Sequence, residues 1–517
     1  MKYQVILIVL LSSVHTFFAQ VLDNNFGVNG KFVYDINPNS NIEKIGSMIA
    51  VSNDKILVGG TDNTNAYLVR HNSDGSFDNS FQANGIKQLP FKSIEKILKT
   101  SNNEIIILGT KLATDGYFNI IVCKVDENGN YITNFGTNGI LEINFGAQSD
   151  DNVFNGELQS DGKIIIVGNK RGTNALTEGY VLRLLPNGQF DTSFNNTGLF
   201  TIAPVNHRHY LNAVSIAPNG KIVCSGYLLM TVGSNQGRMF ILRLLPNGTL
   251  DTSFSNVGYT YFTITNQSTS LSNTNIVLSD GSILLGGESF SSNNNNVSYN
   301  FTIVKFNVNG SFANSFGTNG IVQTLLPSIG GQLRNMKLDS SNNIIAVGST
   351  YSATNGNENF AMMKYNLSGV LDTQFGNSGV VITDFSGFQD IPFSSIIYDS
   401  KIILSGLASS SDYPGNSKFA IAQYTNSNNL GVFETKKSND FKIFPTVFSD
   451  NVNIKCKKET TLNIDIVDSS GKRVDAKENF KCSQNNGQLQ LPMTEQGIYW
   501  MRINSGDKIS VQKLIKK

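Results

Sequence analysis

Short apolar runs bounded by turn residues recur seven times and dominate the pattern of hydrophobic and polar positions along the chain. Each run is rich in isoleucine, leucine and valine and ends at a glycine, and the seven runs are 55–60, 104–109, 163–168, 221–226, 282–287, 343–348 and 401–406. A continuous apolar run of this length indicates a strand that is buried on both faces. The final glycines lie 49, 59, 58, 61, 61 and 58 residues apart, and a period of this size indicates a repeat architecture.

A second motif accompanies six of these runs with fixed internal spacing. A basic residue stands five positions before a turn glycine, a phenylalanine six positions after it, and another glycine four positions after the phenylalanine. The basic residues are Arg70, Lys124, Arg183, Arg243, Lys305 and Lys364, and the phenylalanines are Phe81, Phe135, Phe194, Phe254, Phe316 and Phe375, with a further partial copy at Phe26 and Gly30. Asp-Gly and Asn-Gly pairs supply the positive φ of tight turns. A phenylalanine at so constant a distance is predicted to be buried against the neighbouring unit.

Each unit offers about four short strands within one period, and no stretch shows a helical pattern. Four-stranded sheets that are repeated radially are the blades of a β-propeller. The sequence therefore predicts an all-β protein with a seven-bladed β-propeller over residues 20–425. The alternative is a β-solenoid, which would require end caps that the sequence does not show.

The two ends of the repeat region complement each other. Beyond residue 20 the chain begins with the second motif alone, and the seventh unit stops after its third strand, 419–424, without that motif. We therefore expect the strand that begins at Gly30 to pair with 419–424, which closes the ring and removes two exposed strand edges.

The repeats resemble the delta-60 repeat family of bacterial secreted proteins. The likeness covers residues 21–424 and rests on motifs of the DGKI type, as in 161–164, and of the DxSFxxxG type, as in 191–198. Two copies, 132–135 and 313–316, lack the aspartate, which argues against that aspartate as a ligand-binding residue. The resemblance implies a propeller-like β fold and no defined activity.

Residues 1–19 have the form of a secretory signal peptide, with Lys2 before an apolar run. No later stretch reaches the roughly 18 apolar residues that a membrane span needs, so we expect a soluble, exported mature protein. The formal net charge is +1, and this lack of a basic excess argues against a nucleic-acid partner.

The last part of the chain differs from the repeats. A polar linker is predicted over 426–439, and alternating strands over 440–517 predict a small Ig-like β-sandwich. Segments 440–445, 466–472, 497–499 and 511–517 are similar to the type A sorting domain of type IX secretion, found in Bacteroidetes, although Pro445-Thr446-Val447 stands where that family has Pro-Asn-Pro. The resemblance implies that the type IX machinery carries the protein across the outer membrane. The alternative is an ordinary Ig-like accessory domain.

Four cysteines remain to be interpreted. Cys123 and Cys224 lie inside apolar runs and are predicted to be small buried residues. Cys456 and Cys482 are compatible both with a disulfide in an oxidising compartment and with two free thiols.

The connections between the second and third strands are the variable part of each unit. Segments 288–299, 349–357 and 408–416 are rich in serine, asparagine and tyrosine and should emerge on one face of the ring, where they suit recognition of a glycan or a protein. The interpretation that they are simply solvated loops is slightly favoured. The six basic residues of the second motif either line an anion-binding channel or lie on partly exposed strands with their stems over apolar surface, and the second interpretation is favoured.

Two further groups are candidates for metal binding and for acid–base catalysis. His207 and His209 have the spacing of two metal ligands on one strand face but lack a third, and Asp150-Asp151 lacks a convergent partner for acid–base work. No catalytic, cofactor-binding or metal-binding residue is therefore assigned, and no cofactor is predicted. The favoured function is a secreted or surface-attached, non-catalytic propeller that binds a glycan or a protein. The alternatives are a propeller glycosidase or polysaccharide lyase and a structural surface component.

Overall fold

A computed structural model of the chain divides into two compact units, one up to Asn426 and one from Ser427, which are treated separately here. The structure describes residues 22–171, 176–202, 207–230, 236–293, 296–326, 330–352, 356–385, 387–398, 401–411, 416–425, 441–444, 447–468, 473–483, 487–491, 496–505 and 508–516. The predicted signal peptide and the predicted linker lie outside these ranges.

Within these ranges the regular elements of the first unit are strands. They are β1 (Lys31–Tyr34), β2 (Lys44–Val51), β3 (Lys55–Thr61), β4 (Ala66–His71), β5 (Ile86–Leu89), β6 (Ser93–Lys99), β7 (Ile105–Leu112), β8 (Phe118–Val125), β9 (Ile140–Ile143), β10 (Asn152–Leu158), β11 (Ile164–Arg171), β12 (Thr177–Leu184), β13 (Leu199–Ile202), β14 (His207–Ile216), β15 (Ile222–Met230), β16 (Gly237–Leu244), β17 (Tyr259–Phe262), β18 (Thr269–Val277), β19 (Ile283–Asn293), β20 (Asn296–Phe306), β21 (Ile321–Leu325), β22 (Gly331–Leu338), β23 (Ile344–Tyr351), β24 (Glu358–Tyr365), β25 (Val380–Thr383), β26 (Asp390–Tyr398), β27 (Lys401–Ser409) and β28 (Ser417–Thr425). A search of the described residues finds no helix that could cross a membrane.

These strands form seven four-stranded antiparallel sheets, β2–β5, β6–β9, β10–β13, β14–β17, β18–β21, β22–β25 and β26–β28 with β1. The first strand of each sheet contacts the first strand of the next, and β26 contacts β2. The seven first strands therefore follow one another in a closed cycle. Each of them carries a β-bulge, such as the one between Ile94 and Lys96, which bends the strand at this crowded position.

The last sheet is completed by the N-terminal strand, as the sequence predicts. Strand β1 pairs antiparallel with β28, with Lys31 opposite Ala422 and Tyr34 opposite Phe419. Leu22 forms a further bridge to Tyr424. Because both chain ends of the repeat region enter one sheet, the prediction of closure is confirmed and two strand edges are covered.

The regularly spaced phenylalanines are buried between neighbouring sheets, as predicted. Phe26, Phe81, Phe135, Phe194, Phe254, Phe316 and Phe375 are all at most 4% exposed. The ring of Phe81 lies under the turn glycine of the next unit, where a Cβ on Gly129 would come within 3.0 Å of it. Gly129 also has a φ of +81°, so both close approach and left-handed backbone select glycine there.

Where the basic residue of the second motif is an arginine, it forms a clamp between neighbouring sheets. Arg183 Nε donates to Asp191 Oδ2 at 2.8 Å and Nη2 donates to Ser193 Oγ at 3.1 Å. Nη1 donates to the carbonyl of Pro246, in the turn of the next unit, at 2.5 Å. The guanidinium carbon lies 4.7 Å from the centre of the Phe194 ring. Arg70 and Arg243 repeat the whole arrangement.

In the seventh sheet this clamp is assembled from both ends of the chain. Gln423 occupies the position of the basic residue and donates through Nε2 to Asp23 Oδ2 at 2.9 Å. The Asp23 amide donates to the Gln423 carbonyl at 2.8 Å, and the Gln423 amide donates to the Gly30 carbonyl at 3.0 Å. The partial motif at the N-terminus thus does for the last sheet what a complete motif does within the other units.

The second unit is a separate two-sheet domain. Its strands are β29 (Phe441–Phe444), β30 (Val447–Phe448), β31 (Asn451–Cys456), β32 (Thr460–Asp468), β33 (Arg473–Cys482), β34 (Gly487–Gln490), β35 (Gly497–Ser505) and β36 (Lys508–Lys516). One sheet has the order β29-β31-β34 and the other β30-β36-β35-β32-β33. Residues of both sheets share one apolar core that includes Val452, Ile464 and Met501.

The cysteines fall into two classes. Cys456 and Cys482 form a disulfide, which joins β31 of one sheet to β33 of the other and so decides between the two possibilities that the sequence leaves open. Cys123 and Cys224 are buried free thiols, as predicted.

Replacing Phe26 by alanine should destabilise the repeat region by about 3–5 kcal/mol, because the side chain is fully buried at the joint between the chain ends. Phe190 is 37% exposed and serves as the matched control, for which we expect a loss of less than about 1 kcal/mol. The measurement is urea unfolding followed by far-UV circular dichroism. Equal losses in the two variants would contradict the claim that the buried Phe26 side chain stabilises the joint between the two ends of the repeat region.

Replacing Asp191 by alanine should cost about 3–5 kcal/mol, because it leaves the charge of Arg183 buried without its carboxylate. Asp161, whose side chain is 53% exposed, is the control, and its alanine variant should lose less than about 1 kcal/mol. The free energies of unfolding are compared at neutral pH. A loss at Asp191 no larger than that at Asp161 would show that the clamp contributes little.

Candidate functional site

The variable connections between second and third strands all lie at one end of the first unit. In each sheet the end of the second strand pairs with the start of the first strand, as where Lys44 stands opposite Thr61. We call this side of the unit the hairpin end. The predicted recognition segments 288–299, 349–357 and 408–416 belong to it, although residues 294–295, 353–355 and 412–415 lie outside the described residues.

Half-buried aromatic side chains gather at the hairpin end across neighbouring sheets. Tyr210 and Tyr227 stack with their ring centres 4.7 Å apart. Phe290 lies 5.1 Å from Tyr299, which in turn lies 5.2 Å from Tyr351 of the next sheet. We call these five residues the aromatic patch. Such rings offer flat apolar surface, while the phenol groups can form hydrogen bonds.

A polar network centred on Arg334 adjoins this patch. Arg334 Nη2 donates to Gln332 Oε1 at 2.8 Å, and Gln332 Nε2 donates to the Tyr351 hydroxyl at 2.9 Å. The same Nη2 lies 3.6 Å from Glu358 Oε2, which also accepts a hydrogen bond from the Ser349 hydroxyl. The network therefore ties the aromatic patch to a buried carboxylate.

Two basic side chains lie close to a further aromatic ring, that of Phe393. The guanidinium carbon of Arg334 lies 5.6 Å from the centre of the Phe393 ring, and the Lys44 amine lies 5.5 Å from the same ring. Phe393 is the bulge residue of β26. The hairpin end thus combines half-buried ring surface with two cationic groups, Arg334 and Lys44, from two different sheets.

A second carboxylate, Glu288, lies near this network in an unusual electrostatic state. Burial raises its pKa to about 7, with Arg334 opposing the shift and Glu358 adding to it. Glu288 Oε2 and Arg334 Nε have no hydrogen-bond partner among the described residues. Buried polar atoms are nearly always paired, so these two atoms mark a place where a ligand could complete the network.

A separate cavity of about 480 Å³ opens at the opposite end of the unit. It is lined by first strands of five sheets and extends to Leu158, Val277 and Leu338, the last residues of β10, β18 and β22. Its charged lining residues are Lys96, Glu157 and Lys337, and its other polar lining residues are Asn155, Ser215, Thr274, Asn275 and Asn335. The variable hairpins therefore do not line this cavity.

The structure places Arg70, Arg183 and Arg243 in the clamps described above rather than in an anion channel. Lys124 instead pairs with Glu104, and Lys364 lies near Asp339 and Asp372 of its own sheet. The favoured prediction, that the six basic residues of the second motif lie on partly exposed strands, is wrong for five of them. Arg70, Lys124, Arg183, Arg243 and Lys364 are at most 8% exposed. Carboxylates of their own sheets accept from all five, and a carbonyl of the following unit also accepts from each arginine. A strand pattern cannot show these acceptors.

The histidines divide into a paired and an unpaired group. His71 is a satisfied core residue, with Nδ1 2.9 Å from the Gly75 carbonyl and Nε2 3.1 Å from the Tyr34 hydroxyl. The rings of His207 and His209 lie 6.4 Å apart. No group of three metal-ligating side chains occurs in the described part of the chain, and burial lowers the pKa of His209 to about 4.

The two neighbouring aspartates have structural partners. Asp151 accepts from the Phe145 amide at 2.6 Å and from the Ser149 hydroxyl at 2.5 Å. Asp150 accepts from the Phe118 amide at 3.1 Å. Both carboxylates therefore stabilise the connection from β9 to β10, which joins two neighbouring sheets.

Comparison with known proteins identifies both parts of the chain. Residues 442–517 match the family described as a secretion system C-terminal sorting domain. Residues 52–81, 159–194, 217–254, 278–316 and 340–375 match a domain of unknown function described as a β-propeller, DUF5122. The chain thus carries a DUF5122 β-propeller repeat region followed by a type IX sorting domain, as predicted. The sorting domain indicates export, with a surface or secreted location.

Several solved structures resemble the chain at low sequence identity. A catalytically inactive virginiamycin B lyase from Staphylococcus aureus is 11% identical, over 76% of this chain and 99% of that one, with a TM-score of 0.39. The Nup133 β-propeller domain of Vanderwaltozyma polyspora is 14% identical, over 78% and 97%, with a TM-score of 0.37. PorZ of Porphyromonas gingivalis, a surface component of its type IX secretion system, is 10% identical, over 92% and 81%, with a TM-score of 0.26. No curated protein sequence matches this chain.

Replacing Glu288 by glutamine should change the pH dependence of stability. Because folding raises the pKa of Glu288 to about 7, the folded protein takes up a proton as pH falls through 7 that the unfolded chain takes up only near pH 4. Wild-type stability should therefore rise from pH 8 to pH 5. The amide resembles the protonated acid, so the variant should be about 1–3 kcal/mol more stable than the wild type at pH 8 and about equal to it at pH 5.

The matched control for this measurement is Glu142→Gln. The pKa of Glu142 is lowered, chiefly by its hydrogen bond from Lys111, and its side chain is 38% exposed. Its glutamine variant should gain nothing at pH 8. Urea midpoints between pH 5 and pH 8 provide the comparison, and a Glu288→Gln variant that is less stable than the wild type at pH 8 would contradict the assignment.

Proposed function

We propose that the seven sheets are the blades of one seven-bladed propeller over residues 20–425. In this proposal a signal peptide, 1–19, precedes the propeller, and a linker, 426–439, leads to an Ig-like sorting domain over 440–517. The type IX secretion machinery of a Bacteroidetes cell would recognise that domain and leave the propeller secreted or attached to the cell surface. The covalent link between its two sheets, Cys456–Cys482, suits such an oxidising location.

The propeller itself is proposed to be a non-catalytic binding protein that captures a glycan at the hairpin end. The observation that carries this proposal is the aromatic patch beside the Arg334 network. Recognition sites combine flat ring surface with a few placed polar groups, and a sugar ring presents an apolar face edged by hydroxyls. The unpaired atoms of Glu288 and Arg334 would then bind those hydroxyls.

A second candidate function rests on Glu288 and Glu358. A pair of carboxylates with different environments is the arrangement that glycosidases use for their acid and their base or nucleophile. Glu288 has its pKa raised to about 7, partly by the charge of Glu358. Against this function, Glu358 is already engaged by Ser349 and Arg334. A binding role is therefore favoured.

Replacing Tyr351 or Tyr227 by alanine should reduce glycan binding at least tenfold, because a stacked ring contributes roughly 1–3 kcal/mol. The full-length protein is screened on a glycan array, and the affinity for the best glycan is then measured by isothermal titration calorimetry. Tyr261→Ala is the control, since Tyr261 is 42% exposed and lies on the outer strand β17, and it should bind normally.

Three results would contradict the binding proposal. The first is an array with no bound glycan together with a protein ligand captured at the same surface. The second is glycan turnover that Glu288→Gln abolishes, which would establish the enzyme instead. The third is self-association of the protein through the aromatic patch, which would indicate the structural surface component.

A further inference from the structure

We propose that the cavity at the end opposite the hairpins is a second binding site, which takes a small monoanionic carboxylate such as a hexuronate. Lys96 and Lys337 would hold the carboxylate, and the polar lining would bind the sugar hydroxyls. This site is separate from the aromatic patch and goes beyond the glycan capture proposed above.

The first argument is that two lysine amines in this cavity lack a counter-charge contact. Lys96 lies on β6 and Lys337 on β22, and both line the cavity. Other lysines of the unit form close ion pairs, such as Lys124 with Glu104 at 2.6 Å. Neither Lys96 nor Lys337 forms a salt bridge with any residue that the structure describes. Both lysines are partly buried, and an amine that loses part of its contact with bulk water is stabilised by a paired anion, so an incoming anion would satisfy both.

The second argument is the charge balance of the cavity. Glu157 of β10 is its one carboxylate among the described lining residues, whereas β14 and β18 contribute uncharged side chains. Two lysines and one glutamate give the cavity a net charge of +1. A monoanion would neutralise this charge, whereas a dianion would leave a net charge of −1. This complementarity favours a carboxylate over a sulfate or phosphate dianion.

The electrostatics of the lysines support this assignment. Burial lowers the pKa of Lys337 to about 8, with Lys96 adding to the shift and Glu157 opposing it. Burial also lowers the pKa of Lys96, and Glu157 again opposes the shift. The two amines therefore influence one another across the cavity. Lys337 is charged at pH 7 and loses its proton above pH 8, so anion binding should weaken as the pH rises.

The third argument concerns the neutral lining. Asn155 and Ser215 are partly buried and line the cavity, and their amide and hydroxyl groups can form hydrogen bonds with sugar hydroxyls. Thr274 and Asn335 supply further polar groups around the same space. The volume of about 480 Å³ is within the range of small-molecule sites and accommodates a monosaccharide.

The test is isothermal titration calorimetry of the full-length protein with sodium D-glucuronate at pH 7 and low salt. Glucose and sodium sulfate are titrated separately. We expect glucuronate to bind, glucose to bind at least tenfold more weakly, and the affinity for glucuronate to fall about tenfold between pH 7 and pH 9 because Lys337 loses its charge. Lys96→Gln and Lys337→Gln should each weaken binding about tenfold or more.

Two variants separate recognition from general damage. Glu157→Gln removes the opposing charge and should tighten glucuronate binding about fivefold, an effect that a misfolded cavity cannot produce. Lys458→Gln changes an exposed lysine of the other unit and should leave binding unchanged. If circular dichroism shows that a lysine variant does not fold, the glucuronate affinity of Glu157→Gln alone decides whether the cavity is the binding site.

The proposal is overturned if glucuronate does not bind the folded wild type, if sulfate binds and glucuronate does not, or if Glu157→Gln fails to tighten binding. The Tyr351→Ala variant distinguishes the two sites. It should retain glucuronate binding in full, and a loss of that binding in Tyr351→Ala but not in Lys337→Gln would place the anion at the hairpin end instead.

Discussion

The contact on which the first unit depends is the junction between neighbouring sheets, where a basic side chain, a carboxylate and a phenylalanine meet under a turn glycine. Arg183 shows what the junction accomplishes. Its guanidinium covers a buried ring, neutralises a buried carboxylate and reaches a carbonyl of the following unit. A buried charge is tolerated only when it is fully paired. One side chain therefore fixes both the conformation of its own unit and the position of the next.

This junction also explains why the motif has fixed spacing while the hairpins vary. The distance from the arginine to its phenylalanine is fixed because the guanidinium must contact the ring, the carboxylate, the serine hydroxyl and the carbonyl of the next unit at once. Among the described residues, the hairpins at the other end of the second and third strands carry no arginine clamp of this kind. The variation in length between the repeats is consequently concentrated at the hairpin end, where the aromatic patch and the Arg334 network lie, while the spacing within the second motif stays constant.

Sequence reasoning predicted the fold well because its signals are local and repeated. The apolar runs, the turn glycines and the phenylalanines each report a strand, a reversal or a buried ring within a few residues. The pairing of Gly30 onward with 419–424 was also predictable, since one end lacked what the other supplied. The clamp was missed because the acceptor of Arg183, the Pro246 carbonyl, lies in another unit. Nothing near Arg183 in the sequence shows that its charge is buried.

The sites were less predictable than the fold for the same reason. Lys96 and Lys337 belong to the second and sixth sheets, and each looks like an ordinary polar residue in a strand. Both line one cavity only because the first strands of the sheets follow one another in a closed cycle. The weak signal that could have singled them out is a charged side chain in the middle of a first strand. For the aromatic patch, the tyrosine-containing connections pointed to the hairpin end of the first unit, where the patch lies. Glu288 and Arg334 could not be chosen from the sequence.

The pairing of β1 with β28 brings the two ends of the repeat region side by side, with Lys31 opposite Ala422. The order of the sheets in space is therefore independent of where the polypeptide is interrupted. A chain with these ends joined and a different hairpin opened would have the same neighbours at every junction, so circular permutation is compatible with this architecture. The two ends of the repeat region lie in β1, the outermost strand of the last sheet, and in β28 beside it, which leaves the innermost strands around the cavity uninterrupted.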